Sequence, residues 1–187
     1  FRRIPAADHP CTIEGDVTIR QRDDLDALAA RVRGCARWNI TGGLTVRDKE
    51  KDGDDVDIVH LDALANLTSV GTDESGMSVT IMHNPDLESV EGLKGLNGSL
   101  PGALRVEANV RLTSLRGFEG LTAIDGERVD ASSEAQRFSL KLDRLGVADF
   151  AGLSGLRGHL SGALVITNNE NMESLHGLEG LLSVGSF

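Results

Sequence analysis

The stretch LRVEANVRLTSLRGFEGL, residues 104–121, carries an apolar residue at almost every second or third position. An amphipathic helix would instead space its apolar residues by three and four positions, so this pattern is not helical. Residues 81–96 and 166–181 follow the same template as residues 106–121: an apolar residue, an asparagine three positions later, and then apolar residues at steps of three. Such self-similarity is typical of a repeat protein, in which each unit buries its apolar face against the next.

A short strand precedes each copy of the template, because the alternation of Leu104 and Val106 buries one face of an extended chain. The shorter intervals between copies match one coil of a leucine-rich repeat, about 20–29 residues. The longer intervals contain insertions, residues 48–57 with 71–75 and residues 126–137. We therefore predict a right-handed, leucine-rich-repeat-like β-solenoid, a parallel β-helix of about six coils. The second apolar residue of each strand marks the coils at Ile19, Val46, Ile81, Val106, Leu142 and Ile166.

Three asparagines, Asn84, Asn109 and Asn169, occupy one template position, where the chain leaves the strand. We predict that these amides bond to backbone groups of adjacent coils, which would otherwise lack partners in the interior. The segment 23–35 differs from the template, because its apolar residues are spaced as on a helix and Asp23 or Asp24 is available as N-cap. We expect this helix to cover the open N-terminal end of the solenoid.

The composition narrows the class of partner. The chain has 29 acidic and 19 basic residues, a net charge of −10, and the basic residues do not cluster along the sequence. Such a chain repels a phosphate backbone or an anionic membrane surface, so we expect no nucleic-acid partner. No apolar run approaches the roughly 18 residues of a membrane span, so we expect no membrane insertion of this segment.

The segments CTIEGDVTI (11–19), NITGGLTV (39–46), LDALANLTSVG (61–71) and NPDLESVEGLKGL (84–96) resemble the receptor L-domain. This leucine-rich-repeat relative forms the ligand-binding lobes of insulin- and epidermal-growth-factor-receptor ectodomains, and similar domains occur in bacterial and protist surface proteins. The resemblance implies an N-terminal extension over residues 1–10, an L-domain-like solenoid over residues 11–187, and a longer polypeptide. It also implies an extracellular or cell-surface location, but it identifies no ligand.

The resemblance further implies a disulfide between Cys11 and Cys35, because L-domains tie their first coil in this way. The two cysteines flank the predicted helix. The alternative is a pair of buried free thiols in a cytosolic repeat protein.

Three N-x-S/T sequons are present, at Asn39, Asn66 and Asn97. In a eukaryotic host they are candidate glycosylation sites, Asn97 and Asn66 first, although Asn39 and Asn66 fall inside the repeat, where burial of the side chain disfavours a glycan. In a bacterial host we expect no glycan.

The sequence contains no recognisable catalytic or cofactor motif. None of the five histidines has a second His or Cys two to four positions away, and no nucleophile elbow or glycine-rich phosphate loop occurs. We therefore predict no catalytic residue and no cofactor. The alternative is a polysaccharide-active parallel β-helix enzyme, which would need paired carboxylates or a basic residue in a cleft.

One insertion offers weak calcium ligands, since oxygen-rich loops can bind calcium outside the cell. Lys49 and Lys51 lie among the acids and no EF-hand spacing is present, so a solvated loop is favoured and no metal site is predicted. The acidic residues concerned are Asp52, Asp54, Asp55 and Asp57.

These observations favour a non-catalytic extracellular module that binds another protein or a glycan through its strand surface. Arginine and methionine are enriched at protein interfaces, and an exposed methionine there has no role in the core. The alternative is a structural subunit of an extracellular filament, coat or surface complex, with homo- or hetero-oligomeric assembly. The candidate binding face consists of Arg20, Arg47, Met82, Arg105 and Glu107.

Overall fold

The computed structural model describes residues 11–48, 58–126 and 137–185. Within these ranges the chain forms thirteen short β-strands and a single α-helix, α1 (Arg22–Arg31). The predicted extension 1–10 and the calcium candidates lie outside the described residues. The strands are β1 (Cys11–Ile13), β2 (Val17–Ile19), β3 (Trp38–Ile40), β4 (Leu44–Arg47), β5 (Leu67–Val70), β6 (Met77–Met82), β7 (Gly98–Leu100), β8 (Ala103–Asn109), β9 (Leu121–Ile124), β10 (Phe138–Leu145), β11 (Gly158–His159), β12 (Ala163–Thr167) and β13 (Leu181–Ser183).

The largest sheet has six parallel strands in the order β2, β4, β6, β8, β10, β12. These are the six strands that the repeat predicts, so the expectation of a parallel β fold is confirmed. Their register follows the template, because the predicted strand markers pair in a single row from Ile19 and Val46 at one end to Leu142 and Ile166 at the other. The remaining strands form a three-stranded parallel sheet, β1-β3-β5, and two parallel pairs, β7-β9 and β11-β13.

The apolar positions of the template form an aliphatic core. Leu87, Val90, Leu93 and Leu96, at steps of three, are each no more than 1% exposed. The chain passes so closely over the preceding coil that some template glycines leave no room for a side chain. A Cβ at Gly92 would lie 1.9 Å from the carbonyl oxygen of Leu61, well inside van der Waals contact.

Two strands carry one extra residue relative to their neighbours, and in both it is a buried serine. Met77 and Val79 pair with the consecutive residues 103 and 104, which leaves Ser78 as a β-bulge, and Ser139 is placed in the same way in β10. The Ser78 hydroxyl donates to the carbonyl of Gly71 at 2.7 Å and accepts the Gly102 N–H at 2.8 Å. The hydroxyl therefore supplies bonds that the bulge removes from the ladder.

Helix α1 covers the N-terminal end of the large sheet and buries Leu25 and Leu28. The N-cap prediction of Asp23 or Asp24 was wrong, because the helix begins at Arg22 and Gln21 is the N-cap. Asp24 instead lies in the first turn, where its Oδ2 accepts the backbone N–H groups of Arg20 at 2.8 Å and Gln21 at 3.2 Å. Among the described residues, no helix is long and apolar enough to cross a membrane.

A disulfide joins Cys11 to Cys35, with their Cα atoms 5.9 Å apart, as predicted. It links the first strand to the segment that follows α1, so it holds the terminal helix to the sheets. Closing a loop of this length stabilises the fold by about 3 kcal/mol, mainly by restricting the unfolded chain.

The opposite end of the large sheet, at β12, is not covered by any described segment. In the preceding copies, Leu112 and Leu115 are 0% and 1% exposed. Their template equivalents in the last copy, Met172 and Leu175, are 36% and 56% exposed, and Leu182 reaches 75%. Among the described residues, Met172 and Leu175 therefore have no further coil packed against them, whereas Leu182 takes the outward position of the exposed Thr122.

Candidate partner-binding face

The outward residues of the large sheet form two rows, because side chains of a strand alternate between its faces. One row runs through the middle of the strands, and the other, which we call the outer row, takes the residue directly after each paired strand marker such as Ile19 or Val46. Arg20 and Arg47 begin it, since Ile19 and Val46, which precede them, are paired. The row continues in register through Met82, Glu107, Asp143 and Thr167. Arg105 lies in the adjacent row, beside Thr80 and Lys141.

Glu107 does not occupy the exposed position that the sequence predicts, because it is only 5% exposed. Its carboxylate is surrounded by three cations: Arg105 Nη2 lies 2.5 Å and Lys141 Nζ 2.9 Å from Oε2, and Arg144 Nη2 lies 3.0 Å from Oε1. The predicted pair Arg105 and Glu107 is therefore an ion pair inside a network and not two free contact residues.

Asp143, the register partner of Glu107 on β10, is also 5% exposed. Its Oδ1 accepts hydrogen bonds from Thr167 Oγ1 and Asn168 Nδ2, both at 2.7 Å, and Arg144 Nε lies 3.1 Å from Oδ2. Arg144 thus bridges the two buried carboxylates.

Burial raises the pKa of Glu107, but hydrogen bonds from Lys141 and Arg105, together with their charges, outweigh it and leave the pKa below its ordinary value. The pKa of Asp143 is lowered in the same way, because the hydrogen bonds from Thr167, Asn168 and Arg144 outweigh the effect of burial. Both groups are carboxylates at neutral pH. A general acid in glycoside hydrolysis needs a raised pKa, so this pair is unsuited to that role.

The N-terminal part of the outer row is different. The side chains of Arg20 and Arg47 are exposed, and no ion pair joins either of them to another described residue. Met82 follows them in the row and is partly exposed. Of the five predicted face residues, these three are therefore available for contact with a partner.

Asparagine amides bond to the backbone where the chain leaves the strands of the large sheet. Asn84 and Asn109 are fully buried, and Asn109 Oδ1 accepts the backbone N–H of Asn84 at 3.1 Å. Asn109 Nδ2 donates to the carbonyl of Ile81 in the adjacent coil at 3.0 Å. Asn169, which follows β12, makes the same bond to the neighbouring strand β10: its Oδ1 accepts the N–H of Leu145 at 2.9 Å.

The residue before each of these positions has a positive φ angle, in the left-handed region of backbone conformations. The sequence pattern did not predict this conformation. The φ angles of His83, Ala108, Arg144 and Asn168 lie between 52° and 56°. Of the four, Asn168 and His83 are residue types enriched in this conformation, whereas Ala108 and Arg144 are not. Leu145 takes the template position of the asparagines in β10, since it pairs with Asn109.

The three sequons differ in exposure. Asn66 and Asn97 are exposed, whereas Asn39 lies in β3, is half-buried and accepts a hydrogen bond from Thr12 Oγ1 at 3.0 Å. In the part of the chain that the structure describes, no group of three or more His, Cys, Asp or Glu side chains could hold a metal ion.

No protein-family model, curated protein or solved structure matches this chain. The resemblance to the receptor L-domain therefore stays a prediction.

Proposed function

We propose that this chain is a non-catalytic extracellular recognition module, built as an L-domain-like solenoid of about six coils with α1 as its N-terminal cap. It binds another protein or a glycan through the outer face of the six-stranded sheet. The observation that carries this proposal is the position of Arg20, Arg47 and Met82 in one register row, exposed at least in part, without a described ion-pair partner. Arginine and methionine are enriched in protein interfaces, and strands in register present them as one flat surface.

The rest of the outer row favours a preorganised surface. The network around Glu107 and Asp143 links β8, β10 and β12 through side-chain bonds, in addition to the backbone ladder. A surface held in this way loses little conformational entropy when a partner binds.

The extracellular part of the proposal is supported by the Cys11–Cys35 disulfide. Structural disulfides persist in oxidising compartments and are rare in the cytosol, where thiols are kept reduced. The non-catalytic part is supported by the lowered pKa of both Glu107 and Asp143, which leaves neither as a proton donor at neutral pH.

A second candidate function is assembly into a larger extracellular structure, and one observation favours it. Leu175 and Leu182 are 56% and 75% exposed at the uncovered end of the sheet. Two exposed leucines on one coil offer apolar area to a neighbouring molecule. In this alternative the uncovered end, and not the sheet face, is the contact surface.

The proposal is tested with a multivalent form of the chain on panels of purified extracellular proteins and of glycans. For each ligand found, the affinity is measured for the double variant Arg47→Ser/Met82→Ser. The matched control is Arg116→Ser/Val110→Ser, which also removes one exposed arginine and one exposed apolar side chain, but away from the sheet face. The expected result is a loss of at least about ten-fold in the first variant only.

Ligands that bind both double variants as tightly as the unsubstituted chain would refute recognition through this face. If those ligands instead lose affinity when Leu175→Asp and Leu182→Asp are introduced, the assembly function replaces the recognition function.

A further inference from the structure

We infer that Arg20 and Arg47 form an anion-binding clamp and that the partner is a protein that presents an acidic segment to it. This inference rests on the proposed function of the sheet face and adds the chemical class of the partner. It is carried by three observations: the neighbouring strand positions of the two arginines, the lack of an ion pair from either of them to another described residue, and the charge contrast between this face and the whole chain.

The two arginines occupy neighbouring positions on parallel strands. Arg20 follows Ile19, whose partner Val46 precedes Arg47. Neighbouring strands lie about 4.8 Å apart, so the two residues project from adjacent points of one face. Like charges at such positions are unfavourable for the sheet, and a bound carboxylate removes that repulsion.

Two carboxylates close in sequence to Arg20 are engaged with backbone N–H groups. Asp24 Oδ2 accepts the backbone N–H groups of Arg20 and Gln21, and Asp16 Oδ1 accepts the N–H of Gly43 at 2.8 Å. Further along the same row, this fold neutralises its cations with Glu107 and Asp143. Next to Arg47 in the row, where a carboxylate would neutralise it, lies Met82, which carries no charge.

The outer face therefore carries the opposite sign to the molecule. It presents five cations against the three carboxylates of Asp48, Glu107 and Asp143, on a chain whose net charge is −10. A local positive field on an acidic protein orients an approaching anionic partner and disfavours other approaches. The cations are Arg20, Arg47, Arg105, Lys141 and Arg144.

The row also favours a protein over an anionic glycan or a nucleic acid. Met82 places a flexible apolar side chain directly beside Arg47, which suits an acidic segment with an apolar residue next to its carboxylates. Neither outward row contains an aromatic ring on which a sugar or base could stack, and Trp38, the chain's one tryptophan, is 1% exposed.

The test uses the full chain and three probes: a synthetic Asp/Glu-rich peptide containing leucines, its Asn/Gln counterpart, and a sulfated polysaccharide. Binding is titrated in NaCl from about 0.05 to about 0.5 M, a range in which exposed charges become screened. The variant is Arg20→Ser/Arg47→Ser. The control is Arg31→Ser/Arg33→Ser, which removes the same charge from exposed arginines at the end of α1.

The expected result is that only the acidic peptide binds, at least about ten-fold more weakly in high salt, and that Arg20→Ser/Arg47→Ser abolishes binding while the control retains it. Equal losses in both double variants, or no binding of the acidic peptide, would overturn the inference. Binding of the polysaccharide but not of the peptide would also overturn it, since the partner would then be a glycan. A panel ligand that needs Arg47 and Met82 but is insensitive to NaCl would refute the acidic partner and leave the proposed function standing.

Discussion

Glu107 and Asp143 occupy paired positions on neighbouring strands, and one guanidinium, that of Arg144, contacts both carboxylates at 3.0 and 3.1 Å. Two buried like charges in register would repel each other without this bridge. The arrangement therefore ties the stability of the sheet to the ionisation of two carboxylates, and it does so on the face to which we assign partner binding.

Folding stability should consequently fall in acid. The folded pKa of Glu107 lies below its ordinary value of 4.5, so the stabilisation is present above that value and is lost as the pH falls through the folded pKa. Glu107→Gln should be less stable than the unsubstituted chain at pH 7, and the difference should shrink in acid. Urea unfolding across this pH range measures it, with the exposed Glu91→Gln as control. A difference that is independent of pH would contradict the role of the network.

The buried amides should contribute far more than the exposed one beside them. Asn109→Ala removes an acceptor and a donor from the interior and should lower the free energy of unfolding by about 1–3 kcal/mol. Asn168 is exposed, and in Asn168→Gly the new residue still adopts the left-handed conformation, so only its bond to Asp143 is lost. Equal losses in chemical unfolding of the two variants would show that the register of the repeat is assigned incorrectly.

Ala108 should be a site where glycine stabilises the chain. Its φ of 54° costs an L-residue about 1–2 kcal/mol, which is more than the entropy that glycine loses on folding. Ala108→Gly should therefore raise the free energy of unfolding by about 0.5–1 kcal/mol. Ala123→Gly, in β9, has no such strain to relieve and should lower it. The two changes are compared by thermal and urea unfolding, and the same sign for both would contradict this explanation.

The disulfide should be recovered as one linked peptide containing Cys11 and Cys35 in non-reducing peptide mapping. The double variant Cys11→Ser/Cys35→Ser should be less stable by about 3 kcal/mol, because the unfolded chain regains the freedom of the loop. Alkylation of both cysteines in the native protein without reduction would refute the bridge and remove the main support for an extracellular location.

The sheet could be predicted from the sequence because its determinant is local and repeated. Each coil supplies the same alternation of apolar residues, and pairing the copies places Ile19, Val46 and Ile81 in one row. The helix was recognisable from its different spacing, although its first turn was not. Asp24 lies in the first turn and accepts the N–H groups of Arg20 and Gln21, which precede the helix. This bonding depends on the path of the chain before Gln21, which the spacing of apolar residues does not determine.

The details of the site could not be predicted, because they depend on contacts between coils. Glu107 looked solvent-facing by alternation, but Lys141 and Arg144, on the neighbouring strand β10, surround it in the folded sheet. The strand pattern also did not reveal that Ser78 is an inserted residue, whose hydroxyl bonds to the backbone of Gly71 and Gly102. Neither outcome is encoded in the spacing of apolar residues.

The chain's three methionines allow the central claim to be tested in one experiment. Met82 lies in the outer row, Met172 is 36% exposed at the uncovered end of the sheet, and Met77 is 5% exposed and serves as an internal control. Oxidation of methionine to its sulfoxide follows exposure, so hydroxyl-radical footprinting with peptide mass spectrometry reports contact at each surface.

The measurement is made on the chain alone and with a saturating ligand from the protein and glycan panels. Recognition through the sheet face predicts that the ligand protects Met82 from oxidation and leaves Met172 unchanged. Protection of Met172 with unchanged oxidation of Met82 would contradict the account and assign the contact to the uncovered end.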